Sequence, residues 1–236
     1  MGRQIGIRVF QTVEHACGYW PERSARDLVL DPADPALAGL YGSALALGFR
    51  RSGAHVYRPR CAACQACTPV RVPVDAFRAN RAQRRTLSRN ADLATSVRPA
   101  RRDAASFELY RRYVGARHAG GGMDDPAPED FDAFLRCDWS PTCFIELRAG
   151  EELLAVAVTD VLGDSLSAVY TFYAPEHAGR SLGTHAILAQ IDYARRLGLR
   201  YLYLGFWLQG HPKMDYKRNF RPLEFLDGDT WRPFPE

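Results

Sequence analysis

Lysine is almost missing. Of 31 basic side chains, only Lys213 and Lys217 are lysine, and the rest are arginine. No apolar run approaches the roughly 18 residues of a membrane span, so no membrane partner is expected. The opening MGRQIGIRVF has no apolar core behind its basic start, and a secretory signal is not expected either. Gly6 stands where N-myristoylation wants Ser or Thr. There is no internal repeat and no low-complexity stretch. These absences point to a soluble, cytoplasmic protein. What is present is globular: 236 residues, 47% hydrophobic and 25% charged, enough to bury a core as one large domain or two small ones.

The net charge of +4 hides its distribution. From Arg50 to Arg117 there are 16 arginines against Asp75, Asp92, Asp103 and Glu108, while elsewhere acids outnumber bases. A GC-rich genome explains arginine in place of lysine but not the clustering. A polyanionic partner explains the clustering, because the guanidinium fork donates two parallel hydrogen bonds to phosphate. Cysteine is clustered too. Cys61, Cys64 and Cys67 form C-x-x-C-x-x-C, with Cys17 alone upstream, and Cys137 and Cys143 read as ordinary residues. Without a secretory signal, such a cluster reads as metal binding or redox chemistry rather than a disulfide framework.

Periodicity predicts strands at Ile5–Val9, His55–Arg58, Thr68–Val74 and Leu93–Arg98. It predicts helices over Pro35–Leu47, stopped by Gly48, and from an Asn80 N-cap through Arg89. Beyond residue 100 the order is cleaner. A helix over Arg102–Arg117 is followed by the Gly-rich HAGGGMDDP loop and a second helix from Pro128 to Cys137. Three strands follow, Cys143–Leu147, Leu153–Asp160 and Leu166–Tyr173, the middle one apolar without alternation and therefore central. An amphipathic helix over Leu182–Leu197, a strand at Tyr201–Leu204 and a short basic helix near Lys213–Phe220 complete the chain.

That order is similar to the plan of the GNAT acyltransferases. The expected fold class is α/β (α+β): a GNAT-like acyltransferase half with a mixed central sheet over residues 101–236, preceded by a smaller Cys-containing, basic domain over 1–100. In GNAT enzymes a strand runs into R/Q-x-x-G-x-G/A, whose N–H groups hold a pyrophosphate at a helix N-terminus. Arg180 and Gly183 fit that pattern, and His185 replaces the second small residue, where its side chain is expected to crowd a coenzyme A phosphate.

Four motifs together resemble the bacterial leucyl-tRNA–protein transferases, relatives of the eukaryotic arginyl-tRNA–protein transferases. They are CGYWPER (Cys17–Arg23), GFRRSG…YRPRCAACQACTPVRV (Gly48–Val72), TDVLGDSLSAVYTFY (Thr159–Tyr173) and YLGFWLQGHPKMDYK (Tyr203–Lys217). The resemblance implies ribosome-independent transfer of an amino acid, from Leu-tRNA or alternatively Arg-tRNA, onto proteins beginning with Asp or Glu, marking them for N-end-rule degradation. It carries over Lys213, Tyr216 and Tyr170, expected as catalytic, and Arg50, Arg51, Tyr57, Arg180, Gly183 and Lys217, expected as substrate-binding; Trp207 is added to the substrate-binding set as an aromatic surface. Arg78, Arg81, Arg84 and Arg85 are the expected tRNA contacts, with Trp207 as a platform for a terminal base. Met214 belongs to the same motif. His211 departs from the family, where many relatives have Cys. Lys213 and Lys217, four apart, are expected to project from one side of a helix.

The chemistry asks for no cofactor. The aminoacyl ester is activated and an α-amino group is partly neutral at cell pH, so alignment and oxyanion stabilisation suffice. Cys17, Cys61, Cys64 and Cys67 are nonetheless expected to ligate one centre, iron–sulfur or zinc, because position 71, where a ferredoxin-like fourth Cys would fall, is Arg71. Two rival classes stay open: a coenzyme A-dependent acetyltransferase of the same fold, and a non-enzymatic metal-bearing nucleic-acid module built on the basic half.

Overall fold

The structure, a computed structural model, describes residues 6–117 and 125–235. Most of the expected HAGGGMDDP loop and the start of the Ile5–Val9 strand lie outside the described residues. The chain begins with β1 (Val9–Gln11), the ribbon β2 (His15–Ala16) and β3 (Ser24–Ala25), and β4 (Asp27–Leu30). Helix α1 (Leu37–Ala46) and the hairpin β5 (Arg50–Ser52) and β6 (His55–Pro59) follow. Strands β1, β4, β6 and β5 form a four-stranded sheet in that order. The cysteine loop then leads to β7 (Thr68–Pro73), α2 (Arg81–Arg89) and β8 (Ala94–Pro99).

Helix α2 starts where its capping chemistry requires. Asn80 Oδ1 accepts from the Gln83 N–H at 2.9 Å, and Gln83 Oε1 accepts from the Asn80 N–H at 2.9 Å. This capping box satisfies two groups the first turn would otherwise leave unpaired. The helix buries Gln83 and Thr86 and leaves its arginines outside.

Helices α3 (Ala104–Arg117) and α4 (Pro128–Leu135) precede the meander β9 (Thr142–Ala149), β10 (Glu152–Leu162) and β11 (Ser165–Tyr173). A 3₁₀ turn over Pro175–Arg180 leads into α5 (Leu182–Arg196), then β12 (Tyr201–Trp207), a second 3₁₀ turn over Asp215–Asn219, and the hairpin β13 (Glu224–Asp227) and β14 (Thr230–Pro233). Among the described residues the large sheet has eight strands in the order β14-β13-β7-β12-β11-β10-β9-β8. It is mixed α/β, as expected. Strand β10 is buried from Leu153 through Asp160, so both faces of the sheet are covered there. Strands β7 and β8 come from before residue 100 yet lie in the same sheet as β9–β12, and the expected boundary falls in the connection between β8 and α3.

One strand pair positions the site. β11 and β12 are the parallel pair of this sheet, joined by α5 as the crossover. Their register ends at Ser167 opposite Tyr203, although β11 runs on to Tyr173 and β12 to Trp207. Past that point the two strands part, and a cleft opens between them.

The N-terminal sheet is locked over this opening. Leu30, Tyr41, Leu45 and Val56 share a buried cluster with Leu162 and Tyr203 of the large sheet. At its centre Arg51 donates from Nε and Nη2 to the Asp160 carboxylate, each at 2.6 Å, and neither side chain is exposed to water. Thr142 Oγ1 and Tyr41 Oη also donate to Asp160, at 2.7 and 3.1 Å. A buried ion pair is retained only with such complete partnering.

The expected basic helix near Lys213–Phe220 is instead the 3₁₀ turn Asp215–Asn219. Lys213 precedes it and is exposed, whereas Lys217 faces inward and is 4% exposed. The two lysines therefore do not project together. Without a regular 3.6-residue repeat, a spacing of four does not put side chains on one face.

Candidate active site

The cleft has two connected parts, of about 580 and 420 Å³. The larger is lined by Arg50, Arg51, Tyr57, Tyr170, Lys213, Tyr216 and Lys217, seven of the residues singled out in the sequence. The smaller opens at the N-terminus of α5, where Ser181, Gly183 and Thr184 face Arg117, Tyr173 and Lys213. Neither lining contains an Asp or a Glu.

Arg50 is the central cation. Its Nη2 donates to the Val169 carbonyl at 2.8 Å, on the edge of β11 that β12 has left, and its guanidinium lies 5.9 Å from the Phe206 ring centroid. Among the described residues it has no carboxylate partner. Removal from water works against its charge, and the hydroxyls of Tyr57, Tyr19, Tyr41 and Tyr216 more than offset this, so its pKa is raised. Arg50 stays charged with donors to spare. Room for it comes from Gly205: a Cβ at that position would lie 2.1 Å from Arg50 Nη1.

Lys217 occupies the opposite lip. Its Nζ donates to the Phe206 carbonyl of β12 and lies 3.7 Å from Met214 Sδ. Burial, reinforced by Arg50, holds its pKa well below the ordinary lysine value. Two basic side chains thus cap the carbonyl edges of the two separated strands, Arg50 firmly protonated and Lys217 easily deprotonated. Tyr170 is packed edge-on against Phe134, Tyr110 and Tyr113, with centroids 5.0, 6.4 and 6.2 Å away. Burial pushes its phenol upward, so Tyr170 keeps its proton.

Lys213 and Tyr216 are exposed at the junction, lining both parts of the cleft, and Lys213 Nζ donates to the Arg117 carbonyl at 3.3 Å. His211, the departure from the family motif, is buried. Its Nδ1 accepts from the Lys213 N–H at 3.2 Å, which leaves the ring hydrogen on Nε2 for the Tyr19 carbonyl at 3.2 Å.

Other singled-out residues lie elsewhere. Arg51 reaches the cleft wall, but its guanidinium is taken up by Asp160, Thr142 and the Gly53 carbonyl. Arg180 lines neither part; its Nε donates to Asn90 Oδ1 at 2.8 Å and its Nη2 pairs with Asp92. Trp207 is no open platform, since its indole N–H donates to Asp215 Oδ1 at 2.9 Å and its ring packs edge-on against Phe234 at 4.7 Å. His185 does not crowd the cleft either. It is 7% exposed and lines a separate cavity behind α5 with Phe77, Asn90 and Leu188. Gly205, Tyr19 and Arg117 were missed by sequence reasoning. Gly205 and Tyr19 stand inside the motifs quoted above, which was the available signal; Arg117 has none.

Arg78, Arg81, Arg84 and Arg85 lie outside the cleft, on α2 and the turn before it. Among the described residues none of them pairs with a carboxylate. Arg84 Nη1 donates to the Ala79 carbonyl at 2.6 Å, and Arg78 Nη1 to the Asp75 and Phe77 carbonyls at 2.7 Å. From the end of α2, Arg89 donates to the Gly179 carbonyl, so this basic face adjoins the smaller part of the cleft.

The four thiols gather near the larger part. Cys67 is pushed up to about 12, first by burial and then by Cys17, Cys61 and Cys64. Cys64 Sγ accepts from Arg23 Nη1 at 3.5 Å, and Cys61 lies 3.8 Å from the Arg26 carbonyl. Among the described residues no group of three or more His, Cys, Asp or Glu side chains is arranged to hold a metal ion. The expected iron–sulfur or zinc centre stays a proposal for these four thiols, and the acyl transfer is argued without it.

A cleft assembled from both halves of the chain has its counterpart in the comparisons with known proteins. Residues 15–85 match the family model described as arginine-tRNA-protein transferase, N terminus, and residues 105–227 match its C-terminus model. The chain belongs to the arginine-tRNA-protein transferase family. Its relatives include an aspartate/glutamate leucyltransferase of Stenotrophomonas maltophilia, 56% identical over 99% of this chain and 96% of that protein. A protein of the same name from Xylella fastidiosa is 54% identical over 97% of this chain and 92% of its own length. Among solved structures, FemX is similar over 96% of this transferase and 87% of its own chain, with a TM-score of 0.53 at 11% identity. That likeness concerns the fold alone. No helix among the described residues of the transferase is long and apolar enough to cross a membrane.

Proposed function

We propose that this transferase moves leucine from Leu-tRNA to the α-amino group of proteins beginning with Asp or Glu, in the cytoplasm, and so marks them for degradation. The observation that carries this is Arg50, a cation with unspent donors and no carboxylate partner among the described residues, inside a cleft without lining acids. Such a site attracts an acidic side chain. Its smaller part, at the N-terminus of α5 with Arg117 and Lys213, suits the phosphates at the 3′ end of a tRNA. The arginines of α2 continue that path. The names of the relatives support leucine as the transferred residue.

In this reading residues 101–236 act as a GNAT-like acyl-transfer fold preceded by the Cys-bearing N-terminal part. The acceptor carboxylate pairs with Arg50, which brings its α-ammonium toward Lys217. The neutral amine of Lys217 takes a proton from that ammonium. The freed amine attacks the leucyl ester carbonyl at the junction of the two parts. Tyr170, Tyr216 and Lys213 donate to the developing oxyanion. Collapse breaks the ester C–O bond and forms the amide, and the second proton lost by the attacking nitrogen is taken up by the departing ribose oxygen of the tRNA. Tyr57 braces Arg50.

The test is a transfer assay with purified protein, labelled Leu-tRNA or Arg-tRNA, and peptides beginning with Asp, Glu, Asn or Ala. Leucine is expected on Asp and Glu peptides, with kcat/KM lower by roughly 100-fold or more on Asn, because the amide leaves the cation unpaired. Absence of leucine transfer, or equal rates on Asp and Asn, overturns the proposal.

A further inference from the structure

Leucine and arginine make opposite demands on a donor site. An isobutyl group needs apolar contact, whereas a guanidinium leaving water needs acceptors for its hydrogen bonds. The two parts of the cleft share Tyr113, Thr171, Ile187, Pro212, Lys213 and Tyr216. An ester entering through the smaller part and an amine entering through the larger part therefore meet beside Ile187. Ala168 of β11 and Leu204 of β12 line the larger part with Ile187 and belong to the same apolar cluster. They are the first residues past the last paired positions, Ser167 and Tyr203. Ile187 and Leu204 are 5% and 3% exposed, and Ala168 packs on the same apolar cluster. The parting of the strands thus exposes a small piece of core at the bottom of the cleft. All the charged lining groups are cations.

Resting on the leucyl-transfer reading above, we propose that Ala168, Ile187 and Leu204 form the seat for the side chain of the transferred amino acid, and that this apolar, carboxylate-free seat selects leucine over arginine. A leucyl side chain placed there is removed from water against three aliphatic neighbours, worth roughly 10- to 150-fold in affinity. An arginyl side chain would lose its water against the same carbons, with the Arg50 cation in the same lining and no acid to answer it. Ala168 sets the depth of the seat, because it is the smallest of the three and stands on the strand edge. Leu204 sets its far wall.

The test measures kcat/KM with Leu-tRNA, Phe-tRNA and Arg-tRNA on one Asp-initiated peptide, for the full chain and for Ala168→Leu, Ala168→Ser and Leu204→Ala. Ala168→Leu fills the seat and is expected to lower leucine transfer roughly 10- to 100-fold. The KM of the peptide and the Asp-over-Asn preference stay as in the unaltered protein. Leu204→Ala is expected to raise Phe relative to Leu by roughly tenfold. Ala168→Ser, small enough to leave the core intact, keeps the test open if the larger changes unfold the protein; it places a hydroxyl in the seat and is expected to lower leucine transfer several-fold. If the unaltered protein transfers no leucine, the leucyl reading itself has failed. If it transfers leucine while the folded variants keep its rate and its Leu, Phe and Arg preferences, the seat is elsewhere.

Discussion

Replacing Gly205 by alanine puts a methyl group where Arg50 lies. The new Cβ would stand 2.1 Å from Arg50 Nη1, 2.8 Å from Cζ and 3.3 Å from Nε. The guanidinium must move, and doing so breaks its bond from Nη2 to the Val169 carbonyl, now 2.8 Å. Gly205 also has φ +75° and sits at the register shift of β12 against β7. A residue with a Cβ pays about 1–2 kcal/mol there, which for a chain of this size lowers Tm by about 2–8 °C. The larger effect falls on the acceptor. Swinging Arg50 out removes the partner of a desolvated carboxylate, a loss of about 3–5 kcal/mol, or roughly 100- to 3000-fold in kcat/KM. Asn-initiated peptides, which never used that charge, should lose little. The assay is steady-state leucine transfer to matched Asp and Asn peptides, with melting followed in parallel. If Gly205→Ala shows the expected fall in Tm yet keeps the full Asp-over-Asn preference, Arg50 is not the acceptor contact.

Arg51→Met strands the Asp160 carboxylate among groups with no exposure to water, and should cost about 3–5 kcal/mol, a Tm drop of about 6–20 °C by calorimetry; an unchanged Tm would refute the role of that pair. Lys217→Met should abolish transfer while changing how stability follows pH. The unfolded lysine holds its proton up to about pH 10.4, whereas the folded one gives it up well below the ordinary value, so between the two the unfolded state binds more protons and stability rises with pH. Urea midpoints of the methionine variant should lack that rise, and an identical pH slope would show Lys217 to be protonated in the fold. Arg84→Ala with Arg85→Ala should weaken tRNA binding and flatten its dependence on log salt by about two units; an unchanged slope would make α2 a merely solvated face.

Local signals were legible in the sequence. Asn80 and Gln83 mark the start of α2, and the unbroken apolar run Leu153–Val158 marks β10 as central, both because short-range capping and burial write themselves into adjacent positions. The family motifs brought Arg50, Tyr57, Tyr170, Lys213, Tyr216 and Lys217 onto the candidate list, and they line one cleft. What stayed hidden depends on partners far along the chain. Arg51 meets Asp160 across 109 positions, and β7 meets β12 and β13; periodicity reports which face of an element is buried but not what buries it. Arg180 and Trp207 looked available because nothing near them in sequence announces Asn90, Asp92 or Phe234. Gly205 carried no side chain to interpret, and its meaning is the space it leaves for Arg50.

The measurement that bears most directly on the central claim crosses Arg50→Gln with the first residue of the acceptor. Leucine transfer from labelled Leu-tRNA is followed for Asp- and Asn-initiated peptides with each protein. The account predicts that the unaltered protein favours Asp by roughly 100-fold or more and that Arg50→Gln erases this preference by slowing Asp transfer alone. Arg50→Gln protein that still favours Asp by the original factor would contradict it.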